Sequence, residues 1–402
     1  MTEKAVIYLS YDGLCDPVGA SQILPYIKGL TKNGVRFFVI SFEKPDRLAE
    51  GRQRVQAELN ENGIVWLPFG YTKRPPVLST MFDLRKMKKA AKQICSNNKV
   101  DFIHARSYIS GLAARHIYKK KQIPFLFDMR GFWADERIDG GLWSLRNPVY
   151  KAIYRFFKRK EKQMLADAQR VVSLTFAGKE VMTNDWGVDA SKICVIPCAA
   201  DYSHFARPEN AVLDEARAKY DLSQIDGKTL MYTGSTGTWY MLREMADFYS
   251  DFRNRFPESR FVLCVNEVNA AVEEIQKQFP DEVKVFKRMP RNEMPQMLSL
   301  ADFSIMFIKP AFSKKASSPI KLAESLAVGV PAICNAGVGD LGSVEDDGFG
   351  LLIRDFNKEE YSALCEKIAA SQFNSDNLRN ASSEMYELNN NIARYQKLYS
   401  EM

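Results

Sequence analysis

The sequence predicts an α/β protein built from two parallel-sheet domains, and three observations carry that reading. The chain has 402 residues, more than one ordinary hydrophobic core accommodates. Short apolar runs alternate with helical patterns, as in sheets covered by helices on both faces. The alternation also lapses once, between residues 197 and 208, and then restarts. In the first half the strand-like runs are residues 6–10, 37–42, 64–67, 102–104, 125–129, 171–174 and 192–197. In the second half they are 230–233, 261–265, 283–286, 303–307, 332–334 and 350–353. Beyond them, Ile392, Tyr395, Leu398 and Tyr399 recur at helical spacing, which predicts an amphipathic last helix in need of a partner surface. The expected domains are 1–200 and 201–385, followed by a terminal helix at 386–402 that packs back on the first domain.

Composition narrows the class. Hydrophobic residues make up 46% and charged residues 26%, values of a folded globular chain. The apolar run at residues 5–9 meets Asp12 too early for a signal-peptide core or a membrane span. The 7 cysteines are odd in number and scattered through apolar segments, so a disulfide framework is not expected and a reducing, cytoplasmic location is. The 3 histidines and the acids show no metal-ligand spacing, and no bound metal or cofactor is expected. The net charge of +7 conceals an asymmetry: residues 1–200 hold 33 Lys and Arg against 19 Asp and Glu, and residues 201–402 hold 23 against 30.

Parallel sheets of this kind bind ligands where strands run into helix N-termini, and three glycine-bearing loops occupy such positions. The first, residues 11–20, carries Gly19, which suits either close approach to a ligand or a bare structural turn. Its spacing is not GxGxxG, which argues against a dinucleotide cofactor, although Glu43 ends the second strand. The second, residues 232–240, carries Gly234, Ser235 and Gly237. In the third, Ser318 is the expected N-cap of a helix with Pro319 at its first position and Ile320 and Lys321 in its first turn. Lys321 and Glu324 share a helix face, where a cation suits a diphosphate and a carboxylate can accept ribose hydroxyls. The alternative is a solvated surface pair, and the neighbours Leu322, Leu326, Val328 and Val330 weigh against it.

Residues 317–331 read SSPIKLAESLAVGVP and resemble the donor-binding block of family 4 glycosyltransferases. The order of the other motifs agrees: Gly19 in the first loop, Pro197 and Asp201 at the expected hinge, Gly234 to Gly237 opening the second domain, and Asp302 before a strand. The resemblance spans essentially the whole chain and implies the GT-B fold, two Rossmann-like domains facing across a cleft. It also implies retaining transfer from a nucleoside diphosphate sugar without a metal. In that family's terms, Glu324 binds the ribose, Ser318 to Lys321 hold the diphosphate, Gly19 faces it from the first domain, and backbone at Arg288 and Met289 contacts the base.

Two departures stand out. The first acid of the family's frequent paired-glutamate motif is Ala316 here, and the Arg and Lys that often follow the second glycine loop are replaced by Thr238, Trp239 and Tyr240. Lys321 is the expected substitute. The frequent cleft histidine is also missing from residues 127–136, so Asp128 and Arg130 join Lys321 as candidates for catalysis, with His104, Arg106 and Asp135 for acceptor binding. Asp128 and Arg130 could equally pair with each other. Lys86 to Lys89, Arg115 to Lys121 and Arg155 to Lys160 make a basic face that suits an anionic membrane surface or ordinary solvation, and no nucleic-acid motif accompanies it. The expected activity is sugar transfer to a hydroxyl acceptor, a lipid-linked or growing surface glycan. The alternatives are a GT-B sugar-nucleotide epimerase and a catalytically inactive partner-binding subunit.

Overall fold

A computed structural model describes residues 4–75, 77–222 and 227–402. The chain forms two compact units, Met1–Pro197 with Asn391–Met402, and Cys198–Asn390. The first contains seven parallel strands: β1 (Lys4–Ser10), β2 (Val35–Glu43), β3 (Val65–Gly70), β4 (Phe102–Arg106), β5 (Phe125–Asp128), β6 (Arg170–Ser173) and β7 (Ile193–Val195). Their spatial order is β3-β2-β1-β4-β5-β6-β7. The second contains β8 (Thr229–Gly234), β9 (Arg260–Val265), β10 (Val283–Lys287), β11 (Phe303–Met306), β12 (Ala332–Asn335) and β13 (Gly350–Ile353), in the order β10-β9-β8-β11-β12-β13.

Each sheet therefore reverses its winding once, between β1 and β4 in the first unit and between β8 and β11 in the second. At such a switch point the loops leaving neighbouring strands diverge and leave room for a ligand. The strands read as continuous apolar runs because both sheet faces are covered. Along β8, Leu230 and Tyr232 enter one core with Phe248, Tyr249 and Phe252, while Met231 enters another with Val262, Met297 and Ala323.

The last helix, Leu388–Ser400, finds its partner surface on the first sheet. Ile392 sits so tightly against Gly29 that a Cβ there would lie 2.4 Å from its Cδ1. Tyr395 meets Tyr26 at a ring separation of 5.5 Å, and Tyr399 meets Phe102 at 4.8 Å. Edge-on aromatic pairs of this kind contribute about 0.5–1.5 kcal/mol each beyond the area they bury. The chain's end is thereby a structural part of its first unit.

Candidate functional site

In the second unit, the helix Ile320–Ala327 starts beside the switch point. Pro319, not Ser318, is its N-cap residue, because the Ser318 hydroxyl is turned to accept the Cys198 N–H at 3.2 Å. The expected capping by Ser318 is therefore replaced by a tie to the segment that opens this unit. Proline has no N–H to satisfy, so the first free turn of the helix belongs to Ile320 and Lys321.

Lys321 is buried, and its Nζ donates to Tyr232 Oη at 3.2 Å. The same ammonium lies 3.7 Å from the centre of the Tyr240 ring and 4.3 Å from that of Tyr232. The Tyr232 hydroxyl in turn donates to the Ser235 carbonyl, which links the lysine to the glycine loop. Gly234 sits at φ 127°, a conformation that favours glycine, and a Cβ on it would come within 3.0 Å of Lys321 Nζ. Burial lowers the Lys321 pKa from its ordinary 10.5 to about 7, with Glu324 opposing the shift.

Glu324, one turn along, is mostly buried and pairs with Arg291 at 3.5 Å. Burial holds its carboxyl above the usual range, against the pull of Arg291 and Lys321. Arg291 is itself placed by the Phe205 ring, 5.4 Å from its guanidinium carbon. Around these groups the glycine loop is pinned: Gly237 N donates to Ser235 Oγ at 3.3 Å, and Asn269 Nδ2 donates to the Thr236 carbonyl at 3.0 Å. Arg288 and Met289 follow β10. Arg288 is exposed at φ 53° with its N–H on the Val265 carbonyl, and Met289 packs half-buried against the core. A non-glycine residue in this left-handed region is uncommon, and such positions gather at ligand sites.

The first unit builds a different cluster at the ends of β4 and β5. Asp128 is buried and accepts from Tyr395 Oη at 3.2 Å. His104 Nε2 lies 3.4 Å from the same carboxylate, and His104 Nδ1 lies 2.6 Å from Tyr399 Oη. Arg106 and Arg130 approach Asp128 at 3.7 and 3.9 Å, and Arg106 also reaches Asp12 at 3.5 Å. Burial raises the Asp128 pKa, but Arg130, His104 and Arg106 outweigh it and hold the carboxyl below its usual value. Burial lowers that of His104, against the pull of Asp128. Ser107 and Arg130, just past the two strands, stand at φ 65° and 56°, again in the left-handed region.

Two residues singled out by sequence lie elsewhere. Asp135 is committed to Tyr154 and Lys158, each at 2.8 Å, in a network that continues through Glu161 to Tyr108. Gly19 is packed against its own loop, where a Cβ would fall 2.1 Å from the Gly13 carbonyl oxygen, so its small size serves that turn. The loop is held by the buried Glu43 carboxylate, which accepts from Leu14 N at 2.7 Å, Cys15 N at 3.1 Å and Ser41 Oγ at 2.6 Å. Glu43 is thus consumed by structure and has no oxygen to spare for a cofactor ribose.

The comparisons bear on these sites. A family model described as Glycosyltransferase Family 4 matches residues 21–204, and one described as Glycosyl transferases group 1 matches residues 226–385. The chain belongs to the GT4-type GT-B glycosyltransferases. No curated protein matches its sequence. A glycosyltransferase structure from Rickettsia africae ESF-5 superposes on this one with a TM-score of 0.73 at 15% identity, covering 100% of this chain and 99% of the other. Anabaena HepE, solved with UDP and glucose, gives 0.71 at 13% identity over 99% and 100%. Sucrose-phosphate synthase from Thermosynechococcus elongatus gives 0.72 at 14% over 99% and 98%. At these identities the likeness is one of fold.

For this glycosyltransferase the sequence did not reveal that Tyr232 and Tyr240 lie against Lys321, that Arg291 pairs with Glu324, or that Tyr395 and Tyr399 meet Asp128 and His104. Only the aromatic pair after the glycine loop left a visible signal, as a break in the family's usual pattern. Among the described residues, no group of His, Cys, Asp and Glu is arranged to hold a metal ion, and no helix is long and apolar enough to cross a membrane.

Proposed function

We propose that this glycosyltransferase takes its sugar from a nucleoside diphosphate sugar bound in the second unit and transfers it, with retention, to a hydroxyl of a lipid-linked or growing surface glycan. The observation that carries the donor assignment is the pairing of Lys321 and Glu324 on one turn of the helix Ile320–Ala327, beside Gly234. Lys321 meets the diphosphate together with the N–H groups of the first helical turn, and stabilises the charge that develops on the leaving nucleotide. Glu324 exchanges Arg291 for the ribose hydroxyls, and Arg288 and Met289 border the base. Asp128, Arg130, His104 and Arg106 form the acceptor side, with Arg130 oriented by Asp128.

A membrane-borne acceptor is supported by the surface of the first unit. Leu78, Met81 and Phe82 are exposed at the start of the helix Leu78–Asn97, and Val149, Tyr150 and Phe156 along the helix Pro148–Asp167. Both helices are basic, and Lys88 and Lys160 lie close enough for each other's charge to matter. Apolar side chains among cations suit the boundary of an anionic bilayer, where each cation contributes about 1 kcal/mol.

Thermal unfolding with nucleoside diphosphates and their sugar conjugates tests the donor site. One diphosphate at 100 times its Kd should raise stability by about 2.7 kcal/mol, and Lys321→Met and Glu324→Ala should abolish the rise. No rise with any diphosphate overturns the assignment. Flotation with vesicles tests the surface, which predicts binding to anionic vesicles, weakened by salt, and none to neutral ones.

A further inference from the structure

The glycine loop that leaves β8, residues 234–240, carries no charged side chain, and its peptides are turned with one polarity. Their oxygens face the protein. The Gly234 carbonyl accepts from Asn266 N at 3.3 Å, that of Thr236 from Asn269 Nδ2 at 3.0 Å, and that of Gly237 from Tyr240 N at 3.0 Å. The Ser235 carbonyl accepts from the hydroxyl of buried Tyr232. By contrast, the N–H groups of Thr236, Thr238 and Trp239 have no hydrogen-bond partner among the described residues. The peptide after Ser235 is trans, so a carbonyl drawn in to Tyr232 turns the Thr236 N–H the opposite way. Free N–H groups gathered in one loop attract an anion.

The hydroxyl that draws in Ser235 is also the one to which Lys321 Nζ donates, at 3.2 Å. A phenol can give its one proton and accept another group's at the same time, and both bonds here run in those directions. The Tyr232 ring belongs to the core that holds Leu230, Phe248 and Phe307, which fixes where that hydroxyl stands. A buried ammonium and a loop peptide, from segments 89 positions apart, are thereby tied to one atom.

We propose that Tyr232 is a positioning residue whose hydroxyl joins Lys321 to the glycine loop, so that the ammonium and the free N–H groups meet a diphosphate as one set of donors. This rests on the reading of the second unit as the donor site. Removing the hydroxyl keeps the lysine's charge and frees its position, so the effect falls on the diphosphate and spares the base and ribose.

The test measures, by titration calorimetry at pH 7, the affinity of the full chain for UDP, GDP, ADP and CDP and for the matching nucleosides. The proteins are the wild type, Tyr232→Phe, Lys321→Met and the double variant, and a cooperative thermal transition checks the folding of each. Tyr232→Phe should weaken the diphosphate that binds by about tenfold and leave its nucleoside within about twofold. Added to Lys321→Met, it should weaken binding by no more than about threefold further, because residues that act through one another are not additive. Should Tyr232→Phe fail to fold, hydrogen exchange in the wild type replaces it. The diphosphate should slow amide exchange across residues 234–240 by at least about tenfold, and the nucleoside should not. If the wild type binds no diphosphate, the donor reading fails and this proposal with it. If it binds one and Tyr232→Phe keeps the full advantage over the nucleoside, the two losses simply multiply, or the loop exchanges unchanged, the donor reading stands and the role of Tyr232 is overturned.

Discussion

Each unit buries a charged side chain beyond the carboxyl ends of its strands, and the two treat it in opposite ways. Asp128, at the end of β5, is surrounded by matched partners: two arginines, a histidine and a tyrosine. Its pKa falls in spite of burial, so the fold itself holds the charge. Lys321 is equally buried, yet it rests on two rings and one phenol, and burial pulls its pKa to about 7. Partners keep a buried charge ionised, whereas a buried charge without them favours its neutral form until an opposite charge binds. On the proposed donor reading, the first charge is matched within the fold and the second is matched by the diphosphate.

Replacement of the two charges should break this contrast most visibly. Asp128→Ala leaves the buried Arg106 with only the half-exposed carboxylate of Asp12 and should cost about 3–5 kcal/mol in denaturant unfolding. Lys321→Met should cost nothing in the same measurement below pH 7, or should stabilise, because it removes an uncompensated cation. An equal loss in both variants would contradict the comparison. Glu324→Gln should weaken nucleoside diphosphate binding by about 1.5–3 kcal/mol, with unchanged folding, because it replaces a charged acceptor of two ribose hydroxyls by a neutral one.

Acidity gives a smaller but sharper test. The unfolded chain holds the Lys321 proton up to about its ordinary 10.5, and the folded chain only to about 7. Between these values the unfolded state binds more protons, so this group makes stability rise with pH. The buried thiols Cys264 and Cys334, pushed up to about 12, are common to wild type and variant and cancel in their difference between pH 7 and 8.5. Over that window, the stability of the wild type relative to Lys321→Met should increase, and a flat difference would mean that Lys321 keeps its proton.

Much of the architecture was legible in the sequence because it follows from local pattern. Apolar runs of strand length marked every strand of both sheets, and the spacing of Ile392, Tyr395, Leu398 and Tyr399 announced the returning helix. Candidate groups could be read from sequence where they share one turn, as Lys321 and Glu324 do. They were hidden where partners meet only after folding. Tyr395 and Asp128 are 267 positions apart, and Lys321 and Tyr232 are 89 apart. Asp135 looked like part of the Asp128 cluster because it is near in sequence, but a helix start carries it to Tyr154 and Lys158. Gly19 suited either a ligand or a turn, and only the fold reveals how closely it approaches the Gly13 carbonyl.

The most direct test of the donor site is calorimetric titration of the full chain with UDP, GDP, ADP and CDP at pH 8, in two buffers of different ionisation enthalpy. One diphosphate should bind with uptake of a proton, and Lys321→Met should both weaken that binding at least tenfold and abolish the uptake. Binding that is equally tight and proton-neutral in both proteins would contradict the assignment of Lys321 as the diphosphate cation.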